Sequence, residues 1–164
     1  KDILFYHIIN TLRERKRSMT MTRRQIREEI FKIIFQADFH AQEDLPEQVD
    51  LFLQDESEPE KETEEFPVKS DKELEQEKYI ADKSSDIFAH VEEIDAIIDE
   101  AVEGWKTSRM AKVDLSLIRL AVYEIRYEKL PKGIAINEAV ELAKTYGTDQ
   151  SAGFVNGVLA RIHE

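Results

Sequence analysis

The sequence predicts an all-helical fold, and three observations support this class. Apolar residues recur at three- and four-residue spacing along most of the 164 residues, which is the period of a buried helix face. The chain has only four prolines and five glycines, so few positions interrupt a helix. Few stretches show the strict alternation of apolar and polar residues that a half-buried strand requires. At this length we expect one domain or two small subdomains.

The predicted core begins with a helix that starts after Thr22. Thr22 and Gln25 have the spacing of a capping box, in which each side chain accepts a hydrogen bond from the backbone N–H of the other residue. Behind them, one face of the helix is apolar, at Ile26, Ile30, Ile33, Ile34 and Ala37. Residues 1–18 form an N-terminal extension, in which the apolar spacing over 2–12 favours a further short helix.

The middle of the chain is predicted to contain one short helix and a long acidic loop. Pro46 suits the first position of a helix that carries Val49, Phe52 and Leu53. Residues 54–71 are dense in Glu, Ser, Lys and Pro and contain few apolar residues. Such a composition cannot bury enough apolar surface to fold, so we predict a flexible acidic insertion.

Helical periodicity returns at Lys72 and continues to Val102. This stretch is long for one helix, and a break is predicted near His90. Gly104 suits a helix stop. Trp105, directly after it, is predicted to pack in the core, because tryptophan is highly buried on average.

Three helices are predicted for the C-terminal third of the chain. The first begins at 113–114 and ends at 130–133. Its inward face is predicted to hold Leu117, Ile118, Ala121, Val122 and Ile125. The second spans 135–146 and stops at Gly147. Ser151 is predicted to cap the third helix.

The net charge of −12 is unevenly distributed along the chain. Residues 1–36 carry nine Lys or Arg and four Asp or Glu, whereas residues 43–103 carry 23 acidic and five basic residues. Residues 104–164 are close to neutral. Because a locally basic segment can bind phosphate groups even in an acidic protein, the net charge does not exclude nucleic acid as a partner.

The residue types restrict the chemistry that we expect of the chain. It contains no cysteine, which removes disulfides, thiol nucleophiles and cysteine metal sites. The four histidines are scattered without ligand spacing, and there is no glycine-rich phosphate loop or nucleophile motif. No apolar run approaches the roughly 18 residues of a membrane span. We therefore predict a cytoplasmic protein with no catalytic residue, metal or cofactor.

Two segments have the residue types that contact nucleic acid. Arg23, Arg24 and Arg27 lie in the first turns of the first predicted core helix, and guanidinium groups bind phosphate bidentately. The other segment is a turn, and it consists of Tyr146, Gly147, Thr148, Asp149, Gln150 and Ser151. Aromatic stacking with nearby polar groups is a common way of binding single-stranded RNA. The residue types alone leave two alternatives open, a solvated basic face and a capping turn with its tyrosine in the core.

Three blocks, in order along the chain, resemble the NusB family of bacterial transcription antitermination factors. The first is RRQIREEIFKIIFQ at 23–36, and the second runs from 105 to 124. The third, at 130–159, is LPKGIAINEAVELAKTYGTDQSAGFVNGVL and is highly specific. Together the resemblance covers residues 22–42 and roughly 78–163.

The resemblance implies a NusB-like helical bundle of two three-helix subdomains with a linking helix, forming an RNA-binding domain over residues 19–164. It implies binding of the single-stranded boxA element of ribosomal RNA leader transcripts. It also implies a complex with the small-subunit ribosomal protein that acts as NusE. In the family this complex joins elongating RNA polymerase with other Nus factors and suppresses premature termination.

The resemblance also implies roles for particular residues. The three arginines at 23–27 match the arginine-rich RNA-binding motif, and residues 146–151 match a second RNA-contacting region. Phe35 and Asp114 match positions that face the ribosomal protein.

Two other interpretations stay open at this point. The same helical module resembles the N-terminal domain of RsmB-type ribosomal RNA cytosine methyltransferases, which need a following cofactor domain and catalytic cysteines. The other is a helical protein-interaction or homodimerisation module without specific RNA binding. Both predict weak RNA binding that does not depend on sequence.

Overall fold

The fold is described by a computed structural model that covers residues 20–40, 70–102 and 104–163. Its helices are α1 (Arg23–His40), α2 (Asp71–Ala89), α3 (Val91–Ala101), α4 (Lys112–Arg126), α5 (Lys132–Tyr146) and α6 (Ser151–Arg161), with a 3-10 turn at Thr107–Arg109. No strand occurs in these three ranges. The predicted all-α class is therefore confirmed.

Helix α4 forms the centre of the molecule. Every residue from Asp114 to Ile125 is buried, so no face of the helix is left to solvent over that span. Helices α5 and α6 pack against α4 and against each other as a three-helix unit, while α1 and α3 also pack against α4. The predicted inward face of α4 is confirmed, and the opposite face is buried as well because neighbours lie on both sides.

Helices α1 and α2 pack against each other and form the N-terminal part of the described fold. Ile30, Ile33 and Ile34 of the predicted apolar face are buried, and Phe31 joins them. The helix predicted after Pro46, the extension at 1–18 and the acidic loop up to residue 69 lie outside the described residues. Of the two predicted three-helix subdomains, the structure therefore describes only the C-terminal one, α4 to α6, completely.

Two helices begin with capping boxes. At the start of α1, Thr22 N–H donates to Gln25 Oε1 at 2.9 Å and Gln25 N–H donates to Thr22 Oγ1 at 3.3 Å, as predicted. At the start of α2, Glu73 N–H donates to Ser70 Oγ at 3.4 Å, and Ser70 N–H donates to Glu73 Oε2 at 2.7 Å. This second box fixes the helix start at Asp71, one residue earlier than predicted.

The predicted break near His90 is confirmed, whereas two other predictions are wrong. His90 lies between α2 and α3. Trp105 is 50% exposed and lies outside the core, after Gly104 turns the chain at a φ of +80°. Ser151 is the first residue of α6 and not its cap, because its hydroxyl accepts a hydrogen bond from Thr148 N–H at 3.0 Å in the preceding turn.

Lys129 closes the connection between α4 and α5 in a left-handed backbone conformation, with a φ of 57°. The next residue, Leu130, donates its backbone N–H to the carbonyl oxygen of Glu124 at 2.9 Å. This hydrogen bond gives a partner to one of the backbone carbonyls in the last turn of α4. Helix α5 begins at Lys132, three residues earlier than predicted, directly after Pro131. The left-handed conformation is one that a residue with a Cβ atom adopts at a cost.

Replacing Lys129 with glycine is expected to raise the free energy of unfolding by about 0.5–1 kcal/mol, because glycine adopts this backbone conformation without a steric penalty. Urea unfolding followed by circular dichroism at 222 nm measures the change. The control is Lys78→Gly within α2, where the same replacement is expected to destabilise by about 1 kcal/mol. Equal destabilisation by both changes would contradict the account.

Candidate nucleic-acid interface

The first turn of α1 carries two exposed arginines of the predicted site. The side chain of Arg23 is exposed and forms no hydrogen bond or ion pair with any residue that the structure describes. Arg24 is 56% exposed, and its Nε lies 3.4 Å from Glu138 Oε2 on α5. The hydrogen bond to Glu138 raises the pKa of Arg24, so the guanidinium stays charged. Because exposed ion pairs contribute little to stability, Arg24 can exchange this carboxylate for a phosphate at small cost.

Arg27 lies in the same helix, but its side chain points into the molecule and is only 14% exposed. Its Nε donates to both carboxylate oxygens of Glu124 at 3.0 and 3.1 Å, and its Nη1 lies 3.2 Å from Glu138 Oε2. This guanidinium therefore joins α1 to α4 and α5. Two of the three predicted arginines reach the surface, and the third holds in place the helix that carries them.

Tyr146 ends α5 at the surface and contacts α1. Its hydroxyl donates a hydrogen bond to Glu28, and its ring centroid lies 5.2 Å from that of Phe31. The hydrogen bond to Glu28 also raises the pKa of Tyr146. Lys32 Nζ lies 5.8 Å from the centre of the same ring. The ring is thus held by α1 on one side and exposed on the other.

The turn after Tyr146 is built on a close backbone approach. A Cβ atom at Gly147 would lie 2.4 Å from Ser151 Cβ and 2.7 Å from the carbonyl oxygen of Ala143. Thr148 N–H donates to Ser151 Oγ at 3.0 Å, which ties the turn to the start of α6. The side chains of the turn that remain exposed are those of Thr148, Asp149 and Gln150. They offer hydroxyl, carboxylate and amide groups next to the tyrosine ring.

The structure brings the two predicted segments together, although they lie more than 100 residues apart. Arg24 reaches Glu138 on α5, and Tyr146 at the end of the same helix reaches Glu28 on α1. Both contacts fall on adjoining faces of α1 and α5. The sequence analysis overlooked Lys32 and Glu28, which belong to this surface. Their spacing of four residues from each other, and of Glu28 from Arg24, is the signal for a shared helix face.

Phe35 and Asp114, the residues predicted to face a protein partner, lie on neighbouring elements. Phe35 is partly buried on α1, and Asp114 is in the first turn of α4. An ion pair of 3.1 Å between Asp38 and Lys112 holds the end of α1 beside the start of α4. Asp114 is only 7% exposed, and its Oδ1 is buried without a hydrogen-bond partner in the described structure.

Among the described residues, no group of three or more His, Asp or Glu side chains is placed to hold a metal ion. None of the helices in the same ranges is long and apolar enough to cross a membrane.

These features define an all-helical protein, organised around a buried central helix, that presents arginine, lysine and tyrosine side chains on two adjoining helices. Similarity to known proteins identifies the group within this class. The chain belongs to the NusB family, whose family model matches residues 24–164.

Individual relatives agree with this membership. The chain is 50% identical over 142 residues to the transcription antitermination protein NusB of Agathobacter rectalis, and the match covers 86% of this chain and 98% of that one. It is 45% identical over 143 residues to the protein of the same name from Lachnoclostridium phytofermentans, covering 87% and 98% of the two chains. A solved structure of T. maritima NusB matches with a TM-score of 0.64 at 34% identity, covering 88% of this chain and 92% of that one. The resemblance stated from the sequence blocks is confirmed, and the family is one of transcription antitermination factors.

Proposed function

We propose that this antitermination factor binds the single-stranded boxA element of ribosomal RNA leader transcripts together with the small-subunit ribosomal protein that acts as NusE. In this proposal the complex joins the elongating RNA polymerase with other Nus factors in the cytoplasm and suppresses premature termination. The protein acts by binding alone, without a catalytic residue, metal or cofactor. Residues 19–164 form the RNA-binding domain, and the acidic insertion that precedes the Ser70 cap of α2 is an accessory segment.

The observation that carries the RNA proposal is the convergence of the α1 arginines and the Tyr146 turn on one surface. Arg23 and Arg24 supply exposed positive charge for phosphates. Tyr146 supplies a ring, held by Glu28 and Phe31, on which a base can stack. The exposed side chains of 148–150 supply polar groups for base edges. A single strand can reach all three groups because side chains of α1 contact both Glu138 and Tyr146 on α5.

The proposed protein-binding surface is the junction of α1 and α4, where Phe35 and Asp114 lie. Phe35 is only partly buried and can contact a partner there, whereas the buried Asp114 Oδ1 is closed to one. The acidic middle of the chain also favours a basic partner by electrostatic attraction. A ribosomal protein has this charge.

Binding of labelled boxA RNA and a scrambled RNA of equal length, across a salt series and with or without the ribosomal protein, tests the proposal. We expect a preference for boxA that the ribosomal protein enhances. Arg24→Glu is expected to weaken binding by about tenfold or more, because it removes a charge-assisted contact and adds repulsion. It should also reduce the slope of log K against log salt by about 0.7, the value for one phosphate contact to a single strand.

Lys78→Glu on α2 is the matched control, because Lys78 is also an exposed cation paired with one carboxylate, that of Asp82. It makes the same change in charge outside the proposed surface, and RNA affinity should change by less than about threefold. Equal, weak binding of both RNAs, unaffected by the ribosomal protein, would overturn the proposal and favour a protein-interaction module.

A further inference from the structure

The loop between α3 and α4 displays the single tryptophan of the chain at the surface. The backbone is hydrogen-bonded at two positions of this loop: Trp105 N–H donates to the carbonyl oxygen of Val102 at 3.4 Å, and Thr107 N–H donates to Asp99 Oδ1 at 2.7 Å. Half of the tryptophan side chain nevertheless stays exposed. Exposing a large aromatic ring on an anchored loop loses apolar burial, which favours a binding role for the ring.

Two cationic side chains lie in the same loop, and one of them contacts this ring. The guanidinium carbon of Arg109 lies 6.0 Å from the centre of the tryptophan ring, within the range of a cation–π contact. Lys106 is exposed, and its Nζ lies 3.5 Å from Asp99 Oδ2 in a pair that solvent screens. An exposed aromatic ring that contacts a guanidinium and is followed in sequence by an exposed lysine matches the needs of a nucleotide, which has a π face and a negative phosphate.

The loop adjoins the end of the surface already proposed to bind RNA. Trp105 packs edge-on against Phe154 of α6, with ring centroids 5.9 Å apart. Phe154 lies in the first turn of α6, where its backbone N–H donates to the carbonyl oxygen of Gln150 at 3.0 Å. Phe154 therefore connects the turn at 146–151, through Gln150, to the ring of Trp105.

We propose that Trp105 stacks on a base of single-stranded RNA, with Arg109 and Lys106 contacting its phosphates. These three residues form an aromatic platform that continues the RNA path beyond the 146–151 turn. This inference rests on the proposed RNA-binding function and extends it to a segment that the sequence analysis placed in the core. The platform binds without base preference, because every base has a π face.

Tryptophan fluorescence tests the platform directly, since the chain has one tryptophan. Titration with boxA RNA is expected to quench this fluorescence in step with binding measured independently by the anisotropy of the labelled RNA. Trp105→Ala should weaken the binding of boxA RNA and of scrambled RNA by a similar factor of about tenfold, because stacking on an aromatic ring tolerates any base. Trp105→Phe should retain most of the affinity. Leu74→Ala, which truncates an equally exposed apolar residue on α2, should leave it within about twofold.

The outcomes separate this inference from the function on which it rests. One outcome is that anisotropy shows RNA binding to the native chain, but its tryptophan fluorescence does not change and Trp105→Ala binds RNA with native affinity. This result overturns the platform and leaves the proposed function intact. If Trp105→Ala loses affinity for the ribosomal protein but not for RNA, the platform is overturned as well, and the loop is assigned to a protein contact. If the native chain binds no RNA, the proposed function fails and the platform fails with it. Unchanged circular dichroism of Trp105→Ala confirms that the variant is folded.

Discussion

Replacing Glu124 with alanine is expected to lower the free energy of unfolding by about 3 kcal/mol, because it leaves two buried cations without their shared partner. The side chains of Glu124 and Lys83 are 2% and 5% exposed, and the Lys83 Nζ to Glu124 Oε1 distance is 2.9 Å. Arg27 donates to both oxygens of the same carboxylate. Each cation keeps other partners, Glu128 and the Tyr79 hydroxyl for Lys83 and Glu138 for Arg27, so we expect the lower end of the range for a broken buried pair.

Urea unfolding followed by circular dichroism measures this loss, and Glu141→Ala provides the control. Glu141 pairs with Lys144 at 2.7 Å, but both side chains are exposed, so its removal should cost less than about 1 kcal/mol. Glu124→Gln keeps the size and removes the charge, and should fall between the two. A cost for Glu124→Ala as small as that for Glu141→Ala would show that the network adds nothing beyond a surface pair.

The contribution of Lys83 to the free energy of unfolding depends on pH. Burial alone would lower the pKa of Lys83, but the carboxylates of Glu124 and Glu128 outweigh it and raise the pKa above its ordinary value. A raised pKa in the folded state means that the stabilisation is complete below the unfolded value of about 10.4 and is lost as the pH rises through the folded value. The Lys83 contribution should therefore be constant through neutral pH and decline only in strongly alkaline solution.

Local sequence patterns predicted the helices well because each depends on residues within a few turns. The capping box of Thr22 and Gln25, the break at His90 and the stop at Gly147 are all short-range features, and the structure contains each of them. The inward residues of α4 followed from their spacing. The predicted helix starts are late by one residue at α2, by one or two at α4 and by three at α5, and helix ends are the least certain part of any helix assignment.

Burial of charged residues could not be predicted in the same way. Glu124 and Lys83 are separated by 41 positions, and Glu124 and Arg27 by 97, so no local spacing shows that they meet. Each alone has the character of a helix surface residue. Arg27 was grouped with Arg23 and Arg24 for this reason, and only the packing of α1 on α4 shows that it points inward.

Trp105 shows the opposite error. Tryptophan is buried in most proteins, and nothing in its local sequence indicates that the loop after Gly104 leaves the core. Arg23, Arg24 and the 146–151 turn of the candidate surface were predicted from their residue types and from family resemblance, whereas Lys32 and Glu28 of the same surface were not. The convergence of α1 and the turn was not predicted, since Tyr146 and Glu28 lie 118 positions apart and meet only because α1 and α5 both pack against α4.

Replacing Gly147 with alanine is expected to lower the free energy of unfolding by about 2 kcal/mol and to weaken RNA binding by about tenfold. The backbone there has a φ of −93°, which any residue adopts, so the cost comes from lack of space. The added Cβ would lie 2.4 Å from Ser151 Cβ and 2.7 Å from the carbonyl oxygen of Ala143. The start of α6 must then move, which breaks the Thr148–Ser151 hydrogen bond that shapes the turn.

Gly133→Ala and Gly157→Ala are the controls for this effect, because a Cβ atom at either position meets nothing within 4 Å. Both lie inside helices, where alanine is expected to stabilise by up to about 1 kcal/mol. Ser151→Gly removes the side chain that the new Cβ meets, so the double variant Gly147→Ala/Ser151→Gly should lose less stability than the sum of the two single changes. Additive losses would show that the clash with Ser151 is not the cause. A variant that loses stability but keeps full RNA affinity would show that the turn has no part in RNA binding.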